Sequence, residues 1–84
     1  MKYDNGSIFH IREEISAGQT IAFVSGYFNI LHPGHLRLIQ FASEQADILV
    51  VAVLSDTLVP DATVRDRERL EAVSAIRGVG AAFI

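Results

Sequence analysis

A chain of 84 residues, half of them apolar and 20% charged, suffices for one small core and is too hydrophobic for intrinsic disorder. A domain of this size hides only roughly 60% of the surface its unfolded chain exposes, so its stability margin is thin. Seven basic against ten acidic residues, a net charge of −3, argue against a nucleic-acid or anionic-membrane partner, and the absence of cysteine excludes disulfides, thiolate metal sites and thiol nucleophiles.

The amino-terminal MKYDNGSIFHIREEI mixes charges into its apolar residues and does not read as a secretory leader, and no apolar run reaches membrane-spanning length. The expected location is the cytoplasm. Over residues 7–17, Ile8, Ile11 and Ile15 recur at helical spacing and Gly18 stands where a helix would stop, which predicts a leading helix with His10 as an ordinary surface residue. Residues 20–27, TIAFVSGY, are β-branched and aromatic with little polar alternation, the pattern of a parallel strand covered on both faces.

Pro33 suits the first turn of a helix, and from there Leu36, Leu38, Ile39, Phe41, Ala42 and Ala46 define a broad apolar face. Residues 47–56, DILVVAVLSD, predict a second buried strand ending in a Ser-Asp pair, and TLVPDATV predicts a loop. Asp66 is placed to cap a helix through Arg69, Leu70, Val73 and Ile76, ended by Gly78 and Gly80, and AAFI reads as a third strand. The order is a leading helix followed by βαβαβ, which predicts a single α/β domain over residues 1–84 with a Rossmann-like parallel sheet of three strands and helices on its faces.

In such sheets ligands bind beyond the carboxyl ends of the strands, and there the sequence places GYFNILHPGH, residues 26–35. Gly26 has no Cβ to keep a ligand from the backbone, the next helix begins with unsatisfied N–H groups, and His32 and His35 add donors beside them. The combination suits a phosphate.

GYFNILHPGH resembles the Gly-x-Phe-Asp-x-x-His-x-Gly-His signature of the nucleotidyltransferase superfamily, particularly its cytidylyltransferase-like members. The likeness extends to ADILVVAVLSD and DRERLEAVSAIRGVG and is strongest to the nucleotidyl domain of ADP-heptose synthases, then to glycerol-3-phosphate cytidylyltransferases. It implies transfer of CMP or AMP from CTP or ATP to a phosphorylated sugar or polyol with release of pyrophosphate, magnesium accompanying the triphosphate without a dedicated protein metal site. The alternative is a nucleotide-binding subunit or fragment without activity of its own.

By the resemblance, His32 and His35 are catalytic donors, Gly26, Tyr27, Phe28, Asn29 and Gly34 line the nucleotide pocket, Asp56 lies near acceptor or nucleotide, and Arg69 reaches the triphosphate. The residues alone leave other roles open: Arg69 on a salt-bridged helix surface, Asp56 capping a turn, Phe28 in the core. Asn29 replaces the usual aspartate, Gly80 replaces the aspartate of a Val-Asp pair, and the late phosphate-binding segment of family domains is absent before Ile84. With the usual strand order the first strand becomes an edge, so the sheet is expected to be completed by a second copy, another chain or another domain.

Overall fold

The structure, a computed structural model, describes residues 18–84; the expected leading helix over residues 7–17, with His10, lies outside the described residues. Strand β1 (Ile21–Gly26), helix α1 (Pro33–Ser43), strand β2 (Ile48–Val53), helix α2 (Asp66–Ser74) and strand β3 (Ala81–Phe83) follow one another as predicted. Both strand pairings are parallel, in the order β1-β2-β3, so β1 lies at one edge with Ile21 beside Ile48 and Gly26 beside Val53. A latch starts the ladder, the Thr20 N–H and hydroxyl donating to Asp47 Oδ2 (2.8 and 3.2 Å) and the Asp47 N–H returning to Thr20 Oγ1 (3.0 Å).

The helices do not divide between the two faces of the sheet. Ile39 and Ala42 of α1 and Leu70 and Val73 of α2 join Leu49, Val51, Val53 and Ala82 in one core, so both helices cover the same face. This follows from two successive right-handed crossovers that step in the same direction across the sheet. The opposite face carries a smaller cluster of Val50 and Ala81 flanked by Ile48 and Phe83, and no helix among the described residues covers it.

Two expectations are thereby corrected. Strand β1 is not covered on both faces: Ala22 and Val24 pack on the core, whereas Phe23 points to the other side and is 56% exposed, 6.3 Å from the Phe83 ring. The apolar face of α1 is also narrower than its sequence suggests. Ile39 and Ala42 are buried, but Leu36, Leu38 and Phe41 stay exposed, Phe41 at 62%, because a helix lying over a three-stranded sheet meets it only along a stripe.

Helix α2 starts at Asp66 itself, so Asp66 is its first residue rather than its cap, and the helix ends at Ser74, with Ile76 beyond it still packed against the core. The chain then turns through Gly78 at φ +100°, a conformation glycine adopts without strain. Gly80 allows close packing instead: a Cβ there would come within 2.8 Å of Ile48 Cγ2.

Candidate functional site

Pro33 opens α1 as predicted, and the residue before it, His32, is the N-cap with extended backbone. The Gly34 N–H donates to His32 Nδ1 (3.0 Å), and the His32 N–H donates to His35 Nδ1 (3.2 Å). Two imidazoles therefore form a reciprocal cap of the kind serine and glutamate form at other helix starts. A neutral imidazole that accepts at Nδ1 carries its proton on Nε2, so the cap fixes both tautomers and leaves each ring an Nε2–H donor for solvent or ligand. The ring centroids are 4.1 Å apart, His32 is exposed and His35 half-buried.

This changes the source of the donors. The sequence suggested that the first backbone N–H groups of α1 face an anion directly. In the structure the Gly34 N–H is bonded to His32 Nδ1, and the His35 and Leu36 N–H groups bond the His32 carbonyl (2.9 and 3.3 Å). The helix terminus instead polarises the His32 imidazole through the Gly34 bond, and the ring presents the proton one ring further out.

The two glycines of the motif are also explained by the protein's own rings. A Cβ on Gly26 would lie 2.8 Å from Phe28 Cε2, so the space at the end of β1 is filled by Phe28 rather than left for a ligand, a correction to its expected role. A Cβ on Gly34 would lie 2.6 Å from His32 Cε1. Phe28 is 5% exposed, belongs to the core and holds φ +50°, and its ring stands edge-on to His35 at 5.7 Å. As a side chain it is not a wall of the nucleotide pocket.

Arg69 is likewise not where the resemblance put it. Its side chain is fully buried: Nε donates to the Val64 carbonyl (2.8 Å), Nη1 to the carbonyls of Tyr27 (2.8 Å) and Leu54 (2.7 Å), and Nη2 to Asp56 Oδ1 (2.9 Å). The guanidinium also lies 5.7 Å from the half-exposed Tyr27 ring. A cation so enclosed and so fully engaged is a brace between the ends of β1 and β2, not a phosphate ligand.

Asp56 carries the other half of the brace. Its Oδ1 also accepts the Asp66 N–H (3.0 Å), while Asp66 Oδ2 accepts the Asp56 N–H (3.0 Å), and Arg65 stands 3.7 Å from Oδ2. Asp56 thus caps α2 across ten residues of sequence. Asn29 Oδ1 accepts the Val64 N–H (3.0 Å), tying the β1–α1 loop to the β2–α2 loop. Sequence reasoning placed Asp66 at the start of the helix but missed its tie to Asp56 and the part of the Val64 backbone, and no local spacing signals either. All eight remaining predicted positions from Gly26 to Asp56 nevertheless gather where β1, β2 and the start of α1 meet, with Tyr27 and His32 at the surface.

A parallel α/β sheet that brings two imidazole donors to a helix start, at the carboxyl end of its first strand, has the layout of a nucleotide-binding protein. Residues 23–84 match the cytidylyltransferase-like family, and the chain belongs to it. It is 37% identical over 68 residues to the bifunctional protein HldE of Desulfatibacillum aliphaticivorans, covering 74% of this chain and 14% of that one. It is 36% identical over 76 residues to its counterpart in Rhodopseudomonas palustris, covering 83% and 16%. A lipopolysaccharide core biosynthesis protein from Thermoplasma volcanium superposes with a TM-score of 0.75 at 27% identity, over 79% of this chain and 57% of that one. The chain thus spans only about a seventh of such bifunctional relatives.

Proposed function

We propose that this chain supplies the nucleotide-binding and catalytic histidines of a nucleotidyltransferase that moves CMP or AMP from the triphosphate to a phosphorylated sugar or polyol. The observation that carries the reading is the pair of imidazoles held side by side by the cap of α1, both accepting at Nδ1 and so leaving Nε2 to donate. Family membership and the HldE relatives support it.

The acceptor phosphate has a second pKa of about 6, so near neutrality its oxygen attacks without a general base. That oxygen forms a bond to the α-phosphorus, the bond to the bridging oxygen breaks, and pyrophosphate leaves with the electron pair. The protein's task is to place the reactants in line and to neutralise charge that grows on the transferring and departing oxygens. His32 and His35 do this as donors whose orientation is set before the substrate arrives. Their Nε2 atoms carry protons rather than free lone pairs, so the pair is suited to phosphate oxygens and not to a metal ion.

Among the described residues no group of three or more histidine or carboxylate side chains could cage a cation. In this proposal magnesium accompanies the triphosphate, held by its own oxygens, where it would offset their charge. No helix among the described residues is long and apolar enough to cross a membrane. The proposed setting of the reaction, the cytoplasm, is a separate part of the proposal. The second reading is nucleotide binding by this chain without turnover of its own.

His35→Ala tests the assignment. Pyrophosphate release should fall roughly 100-fold or more while circular dichroism shows a retained fold. Near-normal turnover overturns the catalytic role, and calorimetric binding of CTP or ATP with no release by the parent chain assigns the second reading.

A further inference from the structure

From the brace under the site we infer that Arg69 is a positioning residue: it fixes where His35 stands by holding the β1–α1 loop against the β2–α2 loop, and does so without touching the nucleotide. The three carbonyls it binds belong to Tyr27, immediately after β1, Leu54, immediately after β2, and Val64, just before α2. Two of them lead directly to the histidines. The Tyr27 carbonyl precedes Phe28, whose ring stands against His35, and Val64 donates its N–H to Asn29, three residues before the His32 cap. One planar cation thus sets both anchors of the loop that carries the donors. A lysine cannot replace it, because a single ammonium cannot reach carbonyls on three segments and Asp56 in fixed geometry.

The inference builds on the proposed nucleotidyl transfer only for its kinetic consequence; its structural content stands on its own readouts. In Arg69→Lys, the Val64 amide should exchange with solvent at least about tenfold faster, while amides in the centre of β2 keep their protection. The His35 imidazole nitrogen and carbon resonances should shift in the same variant. Asn29→Ala, which cuts the second anchor, should shift the same His35 resonances, and the double variant should shift them less than the sum of the two.

In pyrophosphate release, Arg69→Lys should lower kcat at least about tenfold and change the nucleotide KM less than about threefold, since no group against the nucleotide is removed. A residue that merely packs α2 would lower the melting temperature and leave Val64 exchange and the His35 signals where they are, and that result overturns the inference. If Arg69→Lys does not fold, an unshifted His35 in Asn29→Ala overturns it and a shifted one supports it. Absence of turnover in the parent chain counts against the proposed reaction alone, and the resonance and exchange results still decide the positioning role.

Discussion

Gly34→Ala separates the site from the fold. Gly34 is the second residue of α1 and does not have a positive φ, so alanine fits its backbone. Alanine in a helix gains about 1 kcal/mol over glycine. The new Cβ, however, would stand 2.6 Å from His32 Cε1 and 3.0 Å from Nδ1, so the ring must swing out and the cap is lost, at a cost of about 1 kcal/mol. The two terms nearly cancel, and the melting temperature should move by no more than about 8 °C, the equivalent of about 1 kcal/mol in a domain of this size. The His32 donor does not return. Pyrophosphate release should fall roughly 100-fold to 1,000-fold, as for loss of one transition-state donor. Nitrogen resonances of His32 should move from the pure Nε2–H tautomer toward the mixture of a free imidazole. A Gly34→Ala protein with parental turnover and parental His32 signals would refute the claim that the glycine exists to admit the capping ring.

Two further substitutions probe the packing around the site and the open edge. Phe28→Ala should cost about 3–5 kcal/mol in urea denaturation, because it empties a core position beneath β1 and withdraws the ring that supports His35; a loss below about 1 kcal/mol would show that Phe28 is not the core residue described. Phe23→Lys, on the uncovered side of edge strand β1, should lower the apparent mass by light scattering at high concentration while costing about 1 kcal/mol from the lost Phe83 contact, and an unchanged mass would remove β1 from any role in self-association.

The parts of this structure legible in the sequence are those governed by local rules. Continuous apolar runs gave β1 and β2, Pro33 marked the first turn of α1, and alternation of strand and helix dictated a parallel sheet. The histidine pair was found because its spacing and its place after a strand are both local. What could not be read depends on segments that meet only in three dimensions. Arg69 belongs to the charged run RDRER, yet it alone of that run is buried, its guanidinium donating to carbonyls 5, 15 and 42 residues away. Gly26 is expected from the sequence to give a ligand room, whereas the space at Gly26 belongs to Phe28 and that at Gly34 to His32, a matter of rotamer and backbone dihedral that composition does not encode. The width of the α1 face failed for a similar reason: periodicity shows which residues could be buried, and only the size of the sheet decides how many are.

The paired amides and carboxylates of Asp56 and Asp66 act on the intervening segment much as a clasp acts on a bracelet. With Val64 also fastened, the stretch 57–61, including the largely exposed Leu58, hangs from two fixed points beside the site. Lengthening such a span is cheap, about 0.6 kcal/mol for each doubling, and leaves the fixed points where they are. The clasp therefore makes this segment a natural place for insertions and sequence drift that leave the ends of β2 and α2 where they are.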